Sequence, residues 1–421
     1  MKTIKFLALH HAMPHANSHT VLFFKNLLPE LKKTTNVHLT WLIYTPNKID
    51  TYTEEPDVDI LDIHDFKNAL EIIQKVKPDV IHIDPAPNFI FYAFYLVSKS
   101  LNIPIIGFFD HYVGGKIERT KLYKSFLHEF FQNSIPSDNE TNKKQFMRRG
   151  RFFIYKYLFL LKSQITIPLS LWKIIKDFFM FVKIFLNYTK YPLYPVFSCD
   201  LHFLDNENLI QPLINAGFKQ STLLVTGNPM YDPACNLSMT PNKCNKIRVL
   251  LLTASLYEHG LWTKTQRDKL FENIVREITK SFDMLLTVKI HPSSENLNDY
   301  KLLIKKLGID IQLYQSGDIL DFIKNADVVL GYFYESAISY ALIARRPTII
   351  CNFYNMDDMF IKKGFVTECK DPSLLADLIK KVYHSNPIPS HKIDEYIKEF
   401  HYRSDGLSAK RVCNGLLKLI Q

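Results

Sequence analysis

Three stretches of this chain place anion-binding groups just beyond apolar runs. His291-Pro292 follows MLLTVKI. An imidazole there can donate to a phosphate oxygen, and the proline ends the strand and holds the turn; alone, a surface histidine near a turn is the commoner reading. GYFYESA, residues 331–337, closes another apolar run and opens a helix. The free N–H groups and dipole of such a start favour an anion, and Ser336, next to Glu335, adds a hydroxyl. An ordinary Ser/Glu helix start explains the same residues as well. Thr253, Ala254 and Ser255 close the run VLLLT and offer N–H groups to a diphosphate. Proton transfer has other candidates. Asp110 and His111 end an apolar strand beside Gly114-Gly115, where a carboxylate or imidazole can act as general base on a hydroxyl. Asp84 can do the same, although an Asp before proline is often only a turn former. His10, His11, His15 and His19 are the densest histidine cluster. No carboxylate–histidine spacing supports a metal there, so no metal is expected, and His11 and His15 are read as a loop contacting acceptor or donor.

The elements that position these residues follow from patterning. At 421 residues the chain should hold two to three domains. It is 47% apolar with a formal charge of +10, much of the excess lying between Lys116 and Lys190. The six cysteines form no CxxC pair, which argues against a zinc site or disulfide framework and for a reducing compartment. The N-terminal apolar run is too short for a signal peptide and reads as a strand. Apolar strands then alternate with helices through IPIIGFF and again from CDLHFL onward, the pattern of parallel sheets covered on both faces. Ligands of such sheets sit beyond the carboxyl ends of the strands. TLLVTGNPMYDP stops one such half, a polar segment without apolar periodicity follows, and KIRVLLLT starts another. A hinge is therefore expected at 233–245, between domains at 1–232 and 246–400 that face a cleft.

Residues 116–195 interrupt the pattern with a basic, aromatic insertion. No run in it reaches 18 residues without a charge, which disfavours a spanning helix. At 100° per residue Lys173, Lys176, Asp177, Lys183, Asn187 and Lys190 share an arc of roughly 140°, and Ile174, Ile175, Phe178, Val182, Phe185 and Leu186 lie mostly opposite. That is the composition of an in-plane membrane helix, supported by Arg148, Arg149 and Arg151; a helix packed on the protein's own core with lysines in water is the alternative. No recognition module accompanies the charge, so nucleic acid is not an expected partner.

In this order of elements the chain resembles the two-domain nucleotide-sugar enzymes of the GT-B fold. The nearest branch is that of UDP-N-acetylglucosamine 2-epimerases and capsule- or teichoic-acid-type transferases. The resemblance rests on LHFLDNENLIQPLINAGFKQSTLLVTGNPMYD, on VKIHP and on ADVVLGYFYESAISYALIARRPTII, and it omits 116–195. It implies two Rossmann-like doubly wound domains, with 401–421 a closing helix packed back on the first. By position Asp84 and Asp110 match the two acidic residues of the epimerase's first domain. His291 and Ser336 fit the transferase versions that hold donor phosphates. Three departures matter: Ala254 to His259 replaces the epimerase His-Arg-x-x-Asn stretch, the epimerase Ser-Gly-Gly…Glu-Glu helix start is missing, and Tyr340 stands where a ribose-binding glutamate is usual.

The resulting expectation is a metal-independent, inverting glycosyltransferase without a cofactor, peripheral at the cytoplasmic face of the cell membrane. It would use a nucleotide-sugar donor and a lipid-linked or glycan acceptor, and dock on anionic lipid through 148–190. A 2-epimerase, a CDP-alcohol phosphotransferase and a catalytically inactive scaffold are the alternatives.

Overall fold

A computed structural model describes residues 3–11, 13–14, 19–49, 55–83, 88–109, 142–186, 197–238, 240–243, 245–258, 260–292, 295–333 and 336–420, with backbone only at 142–150 and 184–186. The chain divides into two compact units. Unit 1 holds 1–230, 399–402 and 407–421, and unit 2 holds 231–398 and 403–406.

Unit 1 runs β1 (Thr3–His10), α1 (His19–Leu31), β2 (Asn36–Ile43), β3 (Val58–Asp62), α2 (Ala69–Val76), β4 (Val80–His82), α3 (Phe89–Ser100), β5 (Ile105–Phe109), α4 (Asn142–Ile165), α5 (Leu171–Leu186), β6 (Leu201–Leu204), α6 (Ile210–Asn215) and β7 (Leu223–Val225). The sheet order is β3-β2-β1-β4-β5-β6-β7, with every pairing parallel. The strands are apolar because both faces are covered. Leu7, Leu9, Ile81 and Ile105 face the side of α2 and α3, whereas Phe6, Ala8 and Ile106 face the side of α1. Asn68 caps α2 by accepting from the Glu71 N–H at 3.0 Å. Helix α3 (FIFYAFYLVSKS) is apolar nearly all round and buried from Phe89 to Phe94. A helix of that kind needs a second covering layer, which α4 supplies by packing along it with Phe159 and Leu160 buried.

The polar arc expected on the insertion is corrected at α5. Asp177 is buried, and its carboxylate accepts from the Tyr92 hydroxyl at 2.9 Å, from Gln164 Nε2 at 2.9 Å and from the Lys173 ammonium. Lys173 also donates to the Tyr92 hydroxyl at 3.0 Å. Burial, followed by the Asp177 charge, raises the Tyr92 pKa, so the phenol stays a donor. A buried carboxylate surrounded by donors is tolerated where an unpaired one is not. This cluster turns Asp177 and Lys173 inward and Ile175, Phe178 and Phe179 outward.

Unit 2 runs α7 (Asp232–Cys235), β8 (Ile247–Leu252), α8 (Lys264–Thr279), β9 (Met284–Lys289), α9 (Leu297–Leu307), β10 (Gln312–Tyr314), α10 (Ile319–Lys324), β11 (Val328–Gly331), α11 (Ser336–Ile343), β12 (Thr348–Cys351), α12 (Met359–Lys362), β13 (Thr367–Cys369), α13 (Leu375–His384) and α14 (Ser390–Phe400). Its sheet order is β10-β9-β8-β11-β12-β13, again all parallel. Thr263 and Gln266 form a reciprocal capping box on α8. The polar segment before β8 is tied to this unit: Thr240 N–H donates to Lys324 O at 3.2 Å, and Asn242 Nδ2 to Asp327 Oδ2 at 2.8 Å.

The last helix, α15 (Ser408–Ile420), belongs to unit 1 and packs on α1, with Val412, Cys413 and Leu416 buried against the outer side of β1 and β2. Arg411 Nε donates to Thr226 O at 2.7 Å. Gly227, at φ +76°, lies so close to this helix that a Cβ would meet Ser408 Oγ at 2.6 Å.

Candidate functional site

In an open parallel sheet a crevice forms where the strand order reverses, at the carboxyl ends of the two strands concerned. In unit 2 those strands are β8 and β11, whose ends are in register at Leu252 and Gly331. Thr253 and Tyr332 are the next residues. Thr253 is buried and offers no free group: its N–H donates to Lys289 O at 3.2 Å, and its hydroxyl is bonded to the Glu295 carboxylate. Glu295, buried, also accepts from the His291 N–H at 2.6 Å and from the Tyr300 hydroxyl at 2.5 Å. One carboxylate thus gathers the ends of β8 and β9 and the first turns of α9. Burial, then the Glu295 charge, pushes the Tyr300 pKa well up, so the phenol remains a donor.

Beyond this clamp lie polar atoms that the described residues leave unsatisfied. The Ser255 hydroxyl, the Tyr332 hydroxyl and Glu258 Oε2 are buried and make no hydrogen bond. The N–H groups of Ala254 and Ser255 likewise donate to no described residue. A buried polar atom without a partner costs about 1–3 kcal/mol, and native structures keep few of them except where something else binds. Burial chiefly, with the Glu295 charge, raises the Tyr332 pKa. Glu258 is pushed up by burial even though its Oε1 accepts from Arg267 Nη1 at 3.1 Å. Arg267 itself is fully buried between the rings of Tyr257 and Tyr300, at 5.0 and 5.1 Å. Burial opposes its charge, but bonds to Asp299 and Asp268 more than compensate and its pKa is raised.

His291 is half-buried just past β9, its backbone fixed by Glu295. Ser336 is the first residue of α11, and Glu335 lies outside the described residues. Gly331 lets α11 pack close over the end of β11: a Cβ there would meet Ile338 Cδ1 at 2.5 Å, and that side chain would have to shift. Tyr340 is buried in α11 with its ring 4.8 Å from that of Tyr231.

Unit 1 reverses its strand order between β1 and β4. His10, buried at the end of β1, has its ring edge against Trp41 at 5.7 Å and lies 4.8 Å from the exposed ring of His11. His82 ends β4, packed on Phe23 at 5.9 Å and Phe24 at 5.3 Å. Burial first, and then the neighbouring His10, depress its pKa to about 4. Asp84, Asp110, His111 and His15 lie outside the described residues. By sequence Asp84 follows β4 by two positions and Asp110 follows β5 by one.

Sequence reasoning missed His82, Glu295, Arg267 and Tyr332 as site-forming residues. Tyr332 stood within the quoted helix start. The others carry no local signal, because their partners come from separate segments. A depression of about 340 Å³ lined by Arg248, Thr287, Gln312 and Phe322 contains none of the candidate residues. Among the described residues no group of three or more His, Cys, Asp or Glu is placed to hold a metal ion.

No protein-family model matches the chain, and no curated protein matches it by sequence. Solved structures do. The S. aureus MnaA–UDP co-structure shares 14% identity over 99% of this chain and 97% of that one, with a TM-score of 0.56. A putative UDP-N-acetylglucosamine 2-epimerase from Listeria monocytogenes shares 13% over 99% and 96%, with a TM-score of 0.54. The glycotransferase of kitacinnamycin shares 12% over 100% and 99%, with a TM-score of 0.51. At these identities the likeness is one of fold, and that fold, two doubly wound parallel-sheet units in tandem, is GT-B.

Proposed function

We propose that the chain is a metal-independent GT-B glycosyltransferase that takes a sugar from a nucleotide-sugar donor to a lipid-linked or glycan acceptor at the inner face of the cell membrane. The observation that carries the donor half is the set of unsatisfied groups at the β8–β11 reversal: the Ala254 and Ser255 N–H groups and the Ser255 and Tyr332 hydroxyls. Unsatisfied donors at that reversal suit a diphosphate, whose charge a helix start also favours. The start of α11 at Ser336, with Glu335 before it, and the His291 side chain complete the donor side. Thr253 supports the turn through Glu295 rather than touching the phosphates.

On the acceptor side Asp110 is the first choice for general base, His111 the second and Asp84 the third, with His11 and His15 contacting donor or acceptor. The base takes the proton of the acceptor hydroxyl. The oxygen attacks the anomeric carbon, the bond to the β-phosphate oxygen breaks, and the nucleoside diphosphate leaves with inversion. No described helix is long and apolar enough to cross a membrane.

A second reading is favoured by the solved epimerases among the structural relatives. A 2-epimerase would convert a free nucleotide sugar with no acceptor. The Ala254–His259 departure and Tyr340, buried against Tyr231 where a ribose-binding acid is usual, weigh against it. Calorimetric titration with UDP-, CMP- and GDP-sugars is the deciding measurement. One donor class should bind, and Ser255→Ala should weaken it about tenfold, as expected for loss of one hydrogen bond to a charged group. No heat with any donor rejects the proposal, and turnover of a bound donor without acceptor selects the epimerase.

A further inference from the structure

We propose that α4 and α5 form an inside-out surface that seats in the headgroup–acyl boundary of an anionic lipid bilayer, with α5 inserting its outward apolar face. The idea rests on the reading that the acceptor is met at a membrane, and it shifts the apolar face that sequence periodicity selects: Ile175, Phe178 and Val182 stay in it, and Leu171, Trp172 and Phe179 join them.

A buried cluster surrounds Asp177. Its bonds to Tyr92, Gln164 and Lys173 fix the rotation of α5 about its axis. Phe181, one turn further on, is buried on the same side. At 100° per residue Leu171, Trp172, Ile175, Phe178, Phe179 and Val182 then fall in an arc of roughly 120° opposite Asp177. The structure leaves that arc open: Leu171 is 79% exposed, Trp172 64% and Phe179 63%. On α4 the outward row continues with Ile154 and Leu158, exposed at a spacing of four. The Tyr157 and Phe178 rings meet at 5.7 Å and join the two helices into one surface. Soluble proteins seldom present so many large apolar side chains together unless something covers them.

Charge names what covers this one. Between residues 142 and 186 the sequence holds ten lysines and arginines and a single acid, Asp177, which is buried. Arg151, Lys162 and Lys176 are exposed beside the apolar rows. The Lys176 ammonium lies 5.7 Å from the Trp172 ring, so cation and indole sit side by side, as at a membrane interface. A protein partner for such a surface would have to be both apolar and strongly acidic. Anionic lipid offers phosphate and hydrocarbon at adjoining depths.

The test uses the full chain without nucleotide. Trp172 is the exposed one of the three tryptophans, Trp41 and Trp262 being buried, so intrinsic fluorescence reports on it directly. Vesicles of equal phosphatidylglycerol and phosphatidylcholine should shift the emission to the blue, acyl-brominated lipid should quench it, and the protein should float with the vesicles. Trp172→Ser/Phe179→Ser, both at exposed positions, should lower partitioning about 100-fold. Lys162→Glu/Lys176→Glu should lower it roughly tenfold or more on anionic vesicles only. Absence of flotation by the wild type, or equal flotation of wild type and Trp172→Ser/Phe179→Ser, overturns the proposal. So does a dimer in sedimentation that Trp172→Ser/Phe179→Ser dissolves while vesicles bind neither protein. The donor titration is read separately: flotation without donor binding keeps this surface and rejects the transferase, and donor binding without flotation does the reverse.

Discussion

Glu295 shows how one buried side chain can tie separate segments together. Its carboxylate serves the Thr253 hydroxyl, the His291 N–H and the Tyr300 hydroxyl, all at the carboxyl end of the second sheet. Glu295→Ala strands two buried hydroxyls and the half-buried His291 N–H, a buried one costing about 1–3 kcal/mol. Urea denaturation should show a loss of several kcal/mol, with Glu295→Gln costing less because it keeps one acceptor oxygen. Histidines supply a second expectation at this scale. Burial, ahead of smaller electrostatic effects, holds His82 and His202 down at about 4, and His202 Nε2 accepts from the Cys199 N–H at 3.0 Å. Between pH 6.5 and 4 the unfolded chain binds protons that these rings refuse, so stability is full above 6.5 and falls as pH drops towards 4. Each contributes on the order of 3 kcal/mol over that window. Asp358, pushed up to about 6 by burial, acts in the opposite direction. The difference between wild type and His82→Gln is therefore the cleaner reading, and the urea midpoint of the variant should fall less steeply on acidification. Neither Glu295 nor His82 was legible as part of a site, because a buried partner contributed by another strand leaves no mark on local spacing.

Elements were legible wherever burial is two-sided. Strands such as VLLL and VVLG are apolar throughout because helices cover both faces, and that uniformity separates them from the periodic helices between. The α4–α5 pair broke the rule by which a helical wheel is read. A wheel sends charge outward, yet at α5 the carboxylate went in and the aromatics came out. The reason is Tyr92, 85 positions earlier, whose hydroxyl makes the interior polar at that one spot. A hint did exist in α3, whose apolar character on all sides calls for a covering helix. At the candidate site, the start of α11 was visible as a turn followed by a helix. The closeness of its approach was not, because it depends on Gly331 meeting Ile338.

At the scale of the molecule the first unit is discontinuous, its core completed by α15. Gly227 is the junction: φ of +76° disfavours any side chain, and a Cβ would strike Ser408. Gly227→Ala should cost roughly 1–3 kcal/mol and speed amide exchange across 408–420, with β8 to β13 unaffected; equal loss of protection in both units would contradict this. The same arrangement bears on how the chain is made. Synthesis delivers every strand of the second sheet by Cys369, so that unit can close while translation continues, domains generally folding as units. The first sheet is complete far earlier, at Val225, but one face waits for residues 408–420. Until those residues emerge, the Phe6 and Phe24 side of the first sheet lacks the layer that Val412, Cys413 and Leu416 supply. The first unit therefore closes after the second, and until then that apolar face is an aggregation hazard that chaperone shielding would cover.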